Sequence, residues 1–172
     1  HAGALRPPGD VLWSLHADSE PPEDGITLIR SRHLAGAAGG FFTFRFTGEA
    51  TWYKRLLAQL INWRTRFGTP YGDQGLFVGR ATYDAAGGFA DTPLVEEVPL
   101  VRAVRRRGEF TRMPADIGVS PRRWERDGWL RRSASNRLLA LAYMAGVPPR
   151  RLARRYQPLG PTDHAEPADS DP

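Results

Sequence analysis

Residues Asp10 to Pro22 read "DVLWSLHADSEPP". The run Val11-Leu12-Trp13-Ser14-Leu15 has the length and apolar character of a short buried strand, and it stops abruptly at His16-Ala17-Asp18. Pro21-Pro22 break the chain. A helix is then predicted from Glu23-Asp24 to Arg32-His33, with acids at its start and bases at its end. Strand, polar loop and helix in that order form the first unit of an α/β chain, and the rest repeats the alternation.

Gly39 to Thr47 has the period of a strand, with Phe42, Phe44 and Phe46 on one face and Thr43, Arg45 and Thr47 on the other. From Ala50 to Phe67, the residues Trp52, Leu56, Leu60, Trp63 and Phe67 recur at spacings of three or four. Tyr53, Leu57 and Ile61 widen the stripe and Gly68 ends it, which predicts an amphipathic helix with this face packed inward. Gln74 to Val78 reads as extended and Ala81 to Ala86 as a short helix stopped by Gly87-Gly88. Glu96 to Arg107 reads as a helix in which Pro99 fits only the first turn. Two short strands are expected at Glu109 to Met113 and Ile117 to Ser120. A long helix is expected at Arg126 to Ala145 and a last basic turn at Arg150 to Tyr156. This order implies an α/β fold with a mostly parallel sheet flanked by helices. The chain divides into residues 1–120, a basic amphipathic helical extension at 121–157 and a disordered tail at 158–172.

Composition narrows the chemistry. The 172 residues include no cysteine, which removes disulfides and thiolate metal sites and fits a cytoplasmic setting. No run approaches the ~20 apolar residues needed to span a bilayer. Arginine supplies 23 of the 24 basic residues, and 15 of those arginines lie between Arg102 and Arg155 among only four carboxylates. Such a half attracts phosphate-bearing partners: nucleotides, anionic lipid at the inner face of a membrane, or nucleic acid. Nucleic acid ranks last, because no recognised nucleic-acid motif accompanies the arginines.

In open α/β sheets, ligands bind beyond the carboxyl ends of strands. His16 and Asp18 lie two apart at such an end. In extended geometry both would face one ion, and one imidazole plus one carboxylate suits Mn²⁺ or Mg²⁺ when a diphosphate completes the shell. The same residues also read as a turn, with Asp18-Ser19 as its cap. Glu96 and Glu97 open a helix, where the dipole favours carboxylates in any protein; either could also serve there as a general base. Asp73 and Gln74, bracketed by Gly72 and Gly75, are a turn or a site for sugar hydroxyls. Arg122-Arg123-Trp124 offers cationic forks and an aromatic face to a sugar diphosphate, or is a partly buried Trp among surface arginines.

In this order "GDVLWSLHADSEPP", "FRF", "PYGDQGLFVGRATYDAAGGFADTPLVEEVPLVRAVRRRG", "SPRRWERDGWLR" and "GVPPRRLARRY" resemble family 2 glycosyltransferases, nearest the arsenosugar-biosynthesis-type subgroup. The resemblance runs from about Ala2 to Tyr156. It implies a GT-A-like fold and an inverting, metal-dependent transfer of sugar from a nucleotide-diphosphate donor to a hydroxyl of a small or lipid-linked acceptor. Asp18 matches the last acid of the family's DxD-type metal motif and His16 its first position. Leu94-Val95-Glu96-Glu97 matches the stretch whose final acid is the inferred base, here Glu97 in place of Asp, and Pro99 stands where an acid is expected. Arg123-Trp124 is similar to the acceptor motif of processive relatives, with Ser120 where those have Gln. In the family, further strands precede the one that ends in the metal motif. The expectation is therefore a bacterial fragment holding the C-terminal two-thirds of a catalytic domain. The alternative is a non-catalytic module that binds a membrane surface or an anionic partner, through Leu138 to Met144 among its arginines.

Overall fold

Phe41 to Phe46 holds four phenylalanines in six residues, and it becomes the centre of the sheet. The protein was studied as a computed structural model that describes residues 9–90, 92 and 95–155. Leu94, Tyr156 and the tail expected at 158–172 lie outside the described residues. The described residues fall into two compact units, divided after Pro121.

In the first unit, five strands pair in the order β1 (Val11–Trp13), β4 (Phe77–Gly79), β3 (Gly39–Phe46), β5 (Phe110–Val119), β2 (Ser19–Glu20). Only β3 and β5 are parallel neighbours; the β1–β4, β3–β4 and β2–β5 pairs are antiparallel. The sheet is therefore mixed, not mostly parallel. β1, β3 and β5 do share one direction. β4 opposes them because residues 68–76 bring the chain back beside the middle of β3 before the strand starts. There Gln74 Nε2 donates to the Phe42 carbonyl at 3.4 Å. A helix between two strands gives the same sequence signal whichever way the second strand runs. β2, a strand the sequence does not announce, pairs Ser19 with Val119 and Glu20 with Gly118.

The two strands expected at 109–113 and 117–120 are one. Its register against β3 shifts between Phe41, opposite Arg112, and Thr43, opposite Asp116. Met113 to Ala115 form the irregularity, and Pro114, which has no N–H to give a ladder, sits inside it. On one face of the sheet, Leu28 and Ile29 of α1 (Gly25–Leu34) pack with Trp13, Phe42, Phe77, Met113 and Ile117. On the other, α3 (Arg80–Ala86) and α4 (Glu97–Arg105) bring Tyr83, Leu100 and Val104 against Leu12, Ala38 and Val78. Each fully buried Phe in such a core is worth on the order of 1.5–3 kcal/mol.

α2 (Trp52–Arg64) is turned opposite to expectation. β4 pairs with β3 only at Gly39 and Gly40, so the β3 edge beyond them has no strand beside it. α2 covers that edge. The Phe44 N–H donates to Asn62 Oδ1 at 2.8 Å, and Asn62 Nδ2 donates to the Phe44 carbonyl at 2.9 Å. A strand edge demands polar partners, so the helix turns Lys54, Asn62 and Thr65 inward and leaves Trp52, Leu56, Leu60, Trp63 and Phe67 exposed.

The second unit contains α5 (Arg122–Asp127), α6 (Trp129–Met144) and α7 (Pro149–Arg155). The single helix expected from Arg126 to Ala145 is broken at Gly128, whose φ of +82° no helix accommodates. Asp127 pairs with its neighbour Arg126 at 2.9 Å and, across the break, with Arg132 at 3.3 Å. Leu138, Leu141 and Met144 of α6 are exposed. No helix among the described residues is long and apolar enough to cross a membrane.

Candidate functional site

Three segments distant in sequence meet at Gly72. The first is the loop after β1. Trp13 Nε1 donates to the Gly75 carbonyl at 3.2 Å and the Ser14 N–H to the Leu76 carbonyl at 2.8 Å, which ties the loop to the chain entering β4. The Ser19 N–H donates to the His16 carbonyl at 3.0 Å. His16 to Ser19 is thus a closed turn, and the extended geometry expected to aim His16 and Asp18 the same way is absent. His16 is exposed and Asp18 half-buried.

The second segment is the 3₁₀ turn Gly72–Gln74, closed by the left-handed Gly75 at φ +58°. Gln74 is wholly buried, with Nε2 serving β3 and Oε1 without a hydrogen-bond partner, so it lies beneath the turn. The third is the start of α4. Val95 holds a φ of +53°, a costly conformation for a β-branched residue, and turns the chain into the helix. Glu96 takes the N-cap position without capping through its side chain. The Glu97 carboxylate reaches out of the first turn, where Oε1 accepts the Gly72 N–H at 2.9 Å. Pro99 lies in the same turn, where no N–H has an intrahelical partner, and the helix continues intact to Arg105.

Gly72 is the meeting point because it has no side chain. A Cβ there would stand 3.0 Å from Glu97 Oε1 and 3.2 Å from His16 Nε2. Asp73 follows directly. Its Oδ1 is shut off from solvent and has no hydrogen-bond partner. Burial, with a smaller push from Glu97, raises its carboxyl from 3.8 to about 6 against the opposing pull of His16 and Arg64. Burial likewise raises the Tyr71 hydroxyl, aided by Glu97 and Asp73 and opposed by Arg64. Arg64 lies over the Tyr71 ring at 4.2 Å and donates to the Thr69 carbonyl at 2.9 Å. The cluster thus combines an imidazole, two carboxylates of different character, a phenol and a guanidinium.

His16, Asp73 and Glu97 are brought together; Gln74 lies beneath and Glu96 beside them. Arg123 and Trp124 belong to the second unit, where Arg123 is exposed and Trp124 is only 7% exposed. The Trp124 ring stacks on Trp129 at 6.4 Å, so it is a buried ring and not an open platform for a sugar. Tyr71 and Gly72 are expected from sequence at a ligand-binding strand end but without a role of their own, and Arg64 is not expected there at all. The glycine bracket of "YGDQG" was visible in the sequence, but nothing local says which distant side chains converge on it. Among the described residues, no three His, Asp or Glu side chains form a metal-holding group. The donors at the turn are the His16 imidazole and the unpartnered Asp73 oxygen, with Asp18 two residues along the chain from His16. Such a set suits a hard cation only if a ligand's own oxygens complete the shell. Comparison with family models, curated proteins and solved structures gives no match for this chain.

Proposed function

We propose that this chain carries the catalytic-base and metal-loop side of an inverting sugar transferase of GT-A-like fold, acting on a nucleotide-diphosphate sugar. The observation that carries the proposal is the convergence of Glu97 and His16 on Gly72, beside Asp73. The shared direction of β1, β3 and β5 supports it, since His16 then stands at a carboxyl end of the sheet. Glu97 is the general base. It takes the proton of an acceptor hydroxyl as that oxygen bonds to the anomeric carbon and the bond to the diphosphate breaks on the opposite face. His16 and Asp18, which the closed turn does not aim the same way, would hold a divalent cation, Mn²⁺ or Mg²⁺, only together with the donor's own diphosphate oxygens, and the bound ion would supply positive charge for the departing diphosphate. Asp73 accepts hydrogen bonds from sugar hydroxyls, and the Tyr71–Arg64 stack walls the site.

The test is a thermal melt with uridine or guanosine diphosphate, each with Mn²⁺ and with a chelator. Ligand at about a hundred times its Kd stabilises by ~2.7 kcal/mol, a shift on the order of 5–10 °C for a chain of this size. The expected result is a shift that needs the metal and disappears in Asp18→Ala. A shift that persists with the chelator, or none with either nucleotide, overturns the proposal.

A further inference from the structure

We infer that the outward face of α2 docks the chain onto an anionic lipid surface, an inference that stands independently of the transferase proposal. Trp52 is 75% exposed, Trp63 58% and Phe67 79%, with Leu56 and Leu60 between them also exposed. At about 100° per residue, Trp52, Leu56, Leu60 and Trp63 fall within about 80° of one another. Phe67 extends the stripe in the closing turn, its ring 5.5 Å from Trp63. The inner face is already committed to the β3 edge through Asn62, so the helix cannot bury the stripe by rotating.

Charge identifies the occupant. Residues 52–67 contain Lys54, Arg55, Arg64 and Arg66 and no carboxylate. Arg55 and Arg66 are exposed beside the stripe. The cleft of about 330 Å³ between α2 and β3 adds Arg45, so that three cations line it against the single carboxylate of Asp116. An apolar stripe with cationic flanks is the pattern of a helix lying in the headgroup plane of an anionic bilayer. The rings sit where such a helix needs them, with Trp52 and Tyr53 in the first turn and Trp63 and Phe67 at the last. Their apolar bodies enter the acyl boundary while the indole N–H and phenol remain hydrated. A second copy of the chain fits less well. A two-fold contact between stripes brings the flanking arginines of the two copies together with no acid on the helix to pair them.

Sedimentation of the 172-residue chain with vesicles of phosphatidylcholine, alone or mixed with phosphatidylglycerol, tests this. The chain is expected to pellet with the mixed vesicles and to be released by salt. Trp52→Ser/Trp63→Ser/Phe67→Ser should weaken binding by at least about tenfold, with the circular dichroism of the wild type retained. Arg55→Gln/Arg66→Gln removes no core contact and should weaken binding to the mixed vesicles alone, so it decides the matter even if the apolar variant fails to fold. Three results would overturn the inference. One is no pelleting with mixed vesicles, and another is wild-type binding by either variant. The third is a dimer in light scattering that the apolar variant converts to monomer, which would make a second copy the occupant.

Discussion

Glu97 Oε1 accepts the Gly72 N–H at 2.9 Å, which joins the first turn of α4 to the turn before β4 across 25 residues of chain. The contact gives the carboxylate a fixed position and leaves its second oxygen for other work. It also explains the length of the side chain, since Asp at position 97 is one methylene shorter.

Two substitutions separate these roles. Glu97→Gln keeps an oxygen that can accept from Gly72 but cannot take a proton. Its melting temperature should stay near that of the wild type, while sugar transfer falls by about 10²–10⁴. Glu97→Asp keeps the acid but loses the reach, which should cost about 1 kcal/mol, or roughly 2–4 °C. Melts beside a nucleotide-release assay check both. Equal activity in Glu97→Gln and wild type would remove Glu97 as the base.

Gly72→Ala tests the meeting point itself. The new methyl would stand 3.0 Å from Glu97 Oε1 and 3.2 Å from His16 Nε2, so both side chains must give way by a few tenths of an ångström. The expected outcome is a fold that melts within about 1 kcal/mol of wild type. Transfer should be about 10- to 100-fold slower, since catalysis is sensitive to displacements of this size. An active Gly72→Ala variant would show that the convergence has no catalytic role.

Asp73 gives stability a particular pH dependence. Its carboxyl is at about 6 in the folded chain against 3.8 in the unfolded one, so between those values the folded chain holds a proton that the unfolded chain has released. Its contribution is therefore fully present below the unfolded value and is lost as pH rises through about 6. Denaturant melts of wild type and Asp73→Asn across this range should diverge by about 3 kcal/mol, the variant being favoured at neutral pH. Parallel curves would mean that Asp73 titrates as in water.

Asn62 is expected to be the most sensitive surface-helix position. Asn62→Ala leaves both polar groups of Phe44 without partners at the covered edge of β3. The cost should be about 2–3 kcal/mol, with an unchanged m-value in urea. By contrast, Leu56→Ala on the outward face should shift stability by less than about 0.5 kcal/mol. The reverse order would contradict the orientation of α2.

What could be read from the sequence was whatever depends on neighbours a few residues away. The alternating phenylalanines of β3, the starts and stops of α1, α3 and α4, and the tolerance of Pro99 in a first turn all rest on backbone preference and short-range periodicity. His16, Asp73 and Glu97 were legible as polar residues at element ends. Three matters waited for the tertiary structure. The direction of β4 follows from where residues 68–76 deliver the chain. The orientation of α2 follows from a strand edge that needs an amide more than it needs leucines, so the apolar stripe that periodicity assigns to the core faces outward. The gathering of His16, Asp73 and Glu97 at Gly72, and the raised carboxyl of Asp73, follow from close approach and burial among chain segments far apart in sequence. Local propensity fixes which residues form an element. Which of its faces turns inward is settled by the backbone hydrogen bonds the neighbouring elements leave unmade.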